Sequence, residues 1–257
     1  MAKKVTAFVG SFRKRNTYQA VVQFMNNLQA LGEVECEIIR LSDYQLGICK
    51  GCQVCVMRDE SLCPLKDDRD VLFARIDASD GVIFATPNYS WNMSGMMKVF
   101  LDRFGFVIHR PRYFGKVFTS IVTQAMGRGD KIVEYLDYTA FTLGFNTLKG
   151  ITITGFDPKT EAQLQKSERD LAKLSRRFHT LLEKPASLAP TWTQLLAFRM
   201  CRTMIMRTDP EKPDYRYYAN NGWFNSDYYY ATRLSTLKKA VGSLADRMIP
   251  VVQKLIV

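Results

Sequence analysis

Apolar residues recur along the chain with two alternating periods. Val5-Thr6-Ala7-Phe8-Val9 is a short β-branched and aromatic run closed by Gly10-Ser11; from Thr17 onward Ala20, Val21, Phe24 and Leu28 return at helical spacing. The rhythm continues with strands predicted over 34–41, 81–85, 116–123 and 147–154. Helices are predicted over 67–78, 94–104, 130–144 and 158–183, the last charged along one side. Strands that alternate with helices run parallel through right-handed crossovers, and both faces of their sheet must be covered. The pattern therefore predicts an α/β fold, a doubly wound five-stranded parallel sheet. Ligands of such sheets bind beyond the C-terminal ends of the strands, where strand order reverses. Chemistry is thus expected in the loops after the first, third and fourth strands.

The alternation stops near residue 184. Lys184-Pro185-Ala186-Ser187 and Ala189-Pro190 read as a linker, and 192–206 and 228–255 are helix-prone. Between them lie the proline-punctuated Asp209-Pro210-Glu211-Lys212-Pro213-Asp214 and a stretch, 215–230, with six Tyr, one Trp and one Phe. Two parts are expected: a ligand-binding domain over 1–184 and a C-terminal helical extension over 185–257, serving as lid, interface or packing element. In the extension Leu195, Leu196, Phe198, Arg199, Arg202, Ile205, Met206 and Arg207 describe a basic, apolar helix. Packing onto the main domain or a partner subunit is the expected role, and contact with an anionic membrane is the alternative.

Composition narrows the classes. With 257 residues, 47% hydrophobic and 24% charged, the chain has material for a sizeable core and is neither collagen-like nor disordered. A net charge of +11 favours anionic ligands. No block of Lys and Arg interleaved with aromatics is present, so nucleic acid is not an expected partner. The uncharged run over 81–97 is broken by Pro87, Asn88, Ser90, Asn92 and Ser94, which excludes it as a membrane span. Of the six Cys, four fall between Cys49 and Cys63; with no signal-peptide pattern at the start, this points to metal or redox chemistry in a reducing, cytoplasmic setting.

The first loop, Gly10-Ser11-Phe12-Arg13-Lys14-Arg15-Asn16-Thr17, sets hydroxyls, an amide, Arg13 and the free amides of a helix start where a phosphate would fit. An ordinary turn in which Asn16 or Thr17 caps the helix is the alternative. After the third strand, Pro87 fixes the chain direction, Tyr89 and Trp91 offer flat faces, and Asn88 and Asn92 offer amides to a planar heterocycle or its polyol tail. After the fourth come Thr123, Gln124, Ala125, Met126 and Gly127, the glycine permitting close backbone approach.

Through GSFRKRNT, TPNYSWNMSGMMKVFLDRF and the loop over 123–130, the sequence resembles the flavodoxin-like NAD(P)H-dependent FMN reductases and multimeric flavodoxins, over roughly residues 3–183. The resemblance implies FMN as cofactor, NAD(P)H as co-substrate, a small acceptor such as a quinone or flavin, and a homodimer. It implies that Ser11, Arg13, Asn16 and Thr17 hold the FMN phosphate, and that Pro87, Asn88, Tyr89, Trp91 and Asn92 border ribityl and ring. Thr123, Gln124, Ala125, Met126 and Gly127 would line the ring's other edge. Arg13-Lys14-Arg15 would favour an additional phosphate. No residue is assigned a catalytic role, since the flavin itself supplies the redox chemistry. Lys98, Asp102 and Arg103 fit the family pattern but are expected to pair structurally, and His109 and His179 have no neighbouring nucleophile or second ligand.

Cys49-x2-Cys52-x2-Cys55-x7-Cys63-Pro64 presents soft thiolates at a spacing that can wrap a [4Fe-4S] cluster. It resembles the motif of the iron–sulfur flavoproteins, a branch of the same fold, and so implies a ferredoxin-like carrier as electron partner. A cysteine-bearing segment without metal is the equal alternative. Zinc is disfavoured because two overlapping C-x2-C units differ from separated knuckles. Cys36 and Cys201 read as small buried hydrophobes. Three functions follow in order: an FMN-dependent NAD(P)H oxidoreductase, an iron–sulfur flavoprotein exchanging electrons with a carrier, and a non-enzymatic flavin-binding or membrane-associated module.

Overall fold

The computed structural model describes residues 2–156 and 158–256. Their contacts divide the chain into two compact units, Met1–Gly51 with Leu65–Ala186, and Cys52–Pro64 with Ser187–Val257. The boundary expected at 184/185 thus lies at 186/187, and the segment 52–64, assigned by sequence to the first part, groups with the second.

The first unit is built on a parallel sheet. β1 (Lys3–Val9) lies between β2 (Val34–Arg40) and β3 (Gly81–Tyr89). β3 pairs with β5 (Val117–Gln124), beside which run β6 (Asn146–Thr147) and β7 (Ile151–Thr154). Among the described strands only β4 (Asn92–Met93) is antiparallel, closing a hairpin on the end of β3. The order is that of a doubly wound flavodoxin-like sheet, with its reversal between β1 and β3. In register Val9 lies beside Ala85, Ala85 beside Ile121, and Gln124 beside Thr154, so the C-terminal ends of four strands finish together.

Successive side chains of a strand point to opposite faces, and here both are buried. Val5, Ala7, Val9, Ile83, Ala85 and Ile121 meet α1 (Asn16–Gln29) and α7 (Glu161–Leu182) in one core. There Phe24 packs edge-on to Phe178 at 5.5 Å. Gly81 is needed at this point, because a Cβ would sit 2.8 Å from the Phe178 ring. The opposite face is aromatic: Phe8, Phe84 and Phe118 pack with Phe100 of α4 (Gly95–Asp102), with Phe104, and with Phe73 of α3 (Arg69–Asp77), Phe73 and Phe104 being 4.4 Å apart. Each such buried ring contributes about 1.5–3 kcal/mol relative to exposure.

Two elements differ from expectation. The helix expected over 94–104 divides into α4 and α5 (Gly105–His109), because buried Arg103 turns aside to Asp67 and to the Gly47 carbonyl at 3.1 Å. Burial alone would raise the pKa of Asp67, but Arg103 and the amides of Gly47 and Arg69 hold it below the usual carboxylate value. The fifth strand breaks into β6 and β7 around Gly150. Its amide donates to Asp137 of α6 (Gly129–Leu143) at 3.0 Å, and a Cβ there would lie 2.1 Å from Ser120 Oγ.

In the second unit, α2 (Val54–Met57) contacts α9 (Pro213–Asn220), and α8 (Trp192–Ile205) packs on α10 (Thr236–Ile256). α9 forms inside the tyrosine-rich stretch because Pro213 sits at its first position, where no amide partner is required. Arg199 and Arg202, 4% and 8% exposed, face inward. Arg199 meets Asp246 at 2.7 Å and Asp227 at 2.5 Å, and Arg202 meets Asp246 at 2.5 Å. These two charges of the predicted basic face are therefore engaged by carboxylates instead of being offered to a membrane. Trp223 donates to the Tyr229 carbonyl at 2.9 Å, and Phe198 packs on Tyr229 at 4.6 Å. Among the described residues no helix is long and apolar enough to cross a membrane.

Candidate functional site

In the first unit a cavity of about 450 Å³ opens at the C-terminal ends of β1, β3, β5 and β7. Three loops named by sequence reach it: Ser11, Arg13, Asn16 and Thr17 from the first, Pro87, Asn88 and Tyr89 from the second, and Thr123, Gln124 and Ala125 from the third. Trp91, Asn92, Met126 and Gly127 do not line it. Trp91 instead backs the wall: a Cβ on Gly127 would be 2.7 Å from its ring, and Gly127 has the left-handed φ of 67°. Asn92 accepts from the Met93 amide at 2.8 Å, and Met126 is exposed.

The walls are held by hydrogen bonds between loops. Thr17 and Thr123 share a buried hydroxyl contact of 2.6 Å that fixes the start of α1 to the end of β5. Ser11 Oγ donates to the Arg13 carbonyl at 3.1 Å, shaping the first loop. Ser94, the cap of α4, donates to the Gly10 carbonyl at 2.6 Å and receives the Met97 amide at 3.2 Å. A Cβ on Gly10 would be 2.9 Å from Ser94 Oγ, so the glycine is what allows this approach. Gln124 Oε1 accepts from Asn88 Nδ2 at 3.0 Å and from the Gly129 amide at 2.8 Å, while Nε2 donates to Thr154 Oγ1 at 3.0 Å. Asn88 also donates to the Gly127 carbonyl at 2.8 Å.

The β3–β4 hairpin turns through Ser90 and Trp91, both left-handed at φ 50° and 66°. Two positive φ values suit a tight hairpin but are strained for non-glycine residues. The turn leaves Tyr89 50% and Trp91 56% exposed beside the cavity.

Five lining residues were not among those expected to hold FMN: Arg15, named only for an additional phosphate, and Ile153, Gly155, Phe156 and Lys159. All but Arg15 come from the end of the fifth strand or just beyond it, where the strand-end rule, applied once more, would have found them. Arg13, Arg15 and Lys159 make the cavity cationic, and no carboxylate is among its described lining residues. α1 starts in this wall with no side-chain cap and no acidic residue in its first turn. Its first amides and dipole therefore face the cavity as an anion-binding end. Volume, positive charge and hydroxyl and amide donors all suit a phosphorylated small ligand, and the residues present fit an FMN.

Lys98 pairs with Asp102, and Arg103 with Asp67, away from the cavity lining. Burial pushes the Cys36 thiol up to about 11, leaving it protonated and unreactive. Of the four clustered cysteines, Cys49 and Cys52 are exposed and Cys55 and Cys63 partly buried. Cys49 belongs to the first unit and the other three to the second. Among the described residues no group of three or more His, Cys, Asp or Glu side chains is gathered as for a metal ion.

The sequence matches the family described as NADPH-dependent FMN reductase over residues 3–156. It is 31% identical over 142 residues to an iron-sulfur flavoprotein of Archaeoglobus fulgidus, spanning 55% of this chain and 69% of that one. It is 28% identical over 200 residues to an iron-sulfur flavoprotein of Clostridioides difficile, spanning 76% and 85%. The NAD(P)H:quinone oxidoreductase from Methanothermobacter marburgensis shares the fold, with a TM-score of 0.55 and 14% identity over 69% of this chain and 97% of that one.

Proposed function

This chain belongs to the NADPH-dependent FMN reductase family and is an FMN-dependent NAD(P)H oxidoreductase, and we propose that its flavin sits in the cavity at the strand ends. The observation that carries this is the uncapped start of α1 inside a cationic cavity with no carboxylate among its described lining residues. Ser11, Arg13, Asn16 and Thr17, joined by Arg15, bind the phosphate. Pro87, Asn88 and Tyr89 border ribityl and ring, and Thr123, Gln124 and Ala125 orient the other edge. Trp91 and Gly127 act from behind this wall. Bound FMN supplies the redox chemistry, taking electrons from the nicotinamide and handing them to a small acceptor such as a quinone or free flavin. The protein binds, orients and keeps one flavin face open to the second reactant. An anaerobic test is direct: the FMN-loaded chain should lose its visible flavin band on adding NADPH and regain it with a quinone. A band unchanged by both NADPH and NADH would refute the proposal.

The relatives' names and the Cys49, Cys52, Cys55, Cys63 spacing support a second reading, in which these thiols hold a [4Fe-4S] cluster that exchanges electrons with a ferredoxin-like carrier. Four thiols are a suitable donor set, although they are not gathered in the structure. The net charge of +11 suits an acidic carrier. After anaerobic reconstitution, bound iron and acid-labile sulfide in equal amounts, lost in Cys55→Ala, would support it; their absence from the wild-type chain would end it. A homodimer is the assembly proposed, testable by sedimentation.

A further inference from the structure

A second cavity of about 440 Å³ opens in the first unit between α1 and α7. It shares Asn16, Ile153 and Lys159 with the cavity at the strand ends, so the two meet beside Lys159. Ala20 and Leu171 make an apolar floor, while Gln19 and Gln23 of α1 and Glu168 of α7 offer polar groups above it. The Lys159 side chain lies along Gly155, where a Cβ would be 3.1 Å from its Cγ and 3.3 Å from its Cε. Neither Lys159 nor Glu168 makes an ion pair with another described residue.

The chemistry of this cavity suits a nucleotide. An ammonium group suits a phosphate, a carboxylate and two amides suit hydroxyl and amino groups, and an apolar floor suits a base. Its volume lies within the range of small-molecule sites. Arg13, Arg15 and the start of α1 line the first cavity, whereas Lys159 lines both cavities and is the cation of the second. Resting on the flavin assignment above, we propose that this second cavity is the subsite for the 2′-phosphorylated adenosine end of NADPH, with Lys159 meeting the 2′-phosphate.

The test uses the full FMN-loaded chain and calorimetric titration with adenosine 2′,5′-bisphosphate, with 5′-AMP as the comparison. The wild type should bind the bisphosphate more tightly than 5′-AMP. Lys159→Met should weaken the bisphosphate by about tenfold or more while leaving 5′-AMP affinity unchanged. No bisphosphate binding to FMN-loaded wild type, or equal binding by the variant, would overturn the proposal. So would a parallel loss of FMN affinity, which would put Lys159 on the flavin phosphate. Retained flavin is measured separately. A chain that takes up no FMN therefore marks failure of the flavin assignment, whereas an FMN-loaded chain indifferent to the bisphosphate marks failure of this one.

Discussion

Replacing Gln124 with alanine should loosen the flavin cavity by a calculable amount. One carboxamide joins the ends of β3, β5 and β7 to the start of α6 through three bonds of 2.8–3.0 Å. The Gly129 amide it receives is buried, and a Cβ on Gly129 would lie 2.5 Å from Thr152 Cγ2, so the wall has no slack to refill. Losing the partner of a buried amide costs about 1–3 kcal/mol, and the two more exposed bonds add about 0.5 kcal/mol each. Gln124→Ala should therefore lose about 2–4 kcal/mol, a fall in melting midpoint of roughly 4–15 °C for a unit of this size. If about half of that order is needed to reset the loops around the ligand, FMN affinity falls about tenfold. Gln124→Glu keeps the oxygen that accepts from Asn88 and Gly129, and Thr154 can turn its hydroxyl to donate to the second oxygen, so its melting midpoint should stay near that of the wild type. Thermal melts and flavin fluorescence titrations read both effects. An alanine variant that melts and binds FMN like the wild type would refute the role given to this residue.

Burial pushes the Asp137 carboxyl up to about 6, against the lowering effect of bonds from the Gly150 amide and Ser120 Oγ, so the folded chain holds this proton more tightly than the unfolded one. The stability it supplies is complete below about pH 4 and lost as pH rises through 6; Asp137→Asn should lack this slope in denaturant melts and exceed the wild type by about 2–3 kcal/mol at pH 8. Gly127→Ala places a Cβ 2.7 Å from the Trp91 ring at a left-handed φ, and should cost about 1–2 kcal/mol, shift tryptophan emission and weaken FMN; unchanged emission would contradict the packing. Arg199→Ala leaves Asp246 and Asp227 short of a cation and should cost the helical unit about 2–3 kcal/mol. Hydrogen exchange should quicken in α8 and α10 while β1 and β3 stay protected, and uniform quickening would contradict a local effect.

The sheet was legible because its strands are buried on both faces, so runs such as 5–9 and 81–85 read as continuous apolar segments between helical periods. The hairpin at Ser90-Trp91 was not: neither residue signals a left-handed turn, and what fixes it is pairing of Asn88 with Met93 and Tyr89 with Asn92. Nor does local pattern show why the fifth strand breaks, since the cause is Ser120 and Asp137 meeting Gly150 from other elements. For the site, the strand-end rule found the three loops over which most of the cavity is built. It was not extended to the edge strand, and so passed over Gly155, Phe156 and Lys159. Trp91 and Gly127 lie in the right loops but pack on each other behind the wall, which sequence spacing cannot distinguish from lining it. In the tail, Arg199 and Arg202 look like a basic face because Asp246, their carboxylate partner, lies more than 40 positions away.

The flavin assignment rests on the phosphate end of the cavity, and comparing FMN with riboflavin in calorimetric titrations of the flavin-free chain tests it most directly. The two ligands share ring and ribityl and differ only in the phosphate assigned to Ser11, Arg13, Arg15, Asn16 and Thr17. FMN should bind one per chain, with riboflavin weaker by about a hundredfold, and Arg13→Met should narrow that gap. Equal affinity for the two, or no binding of either, would contradict the account.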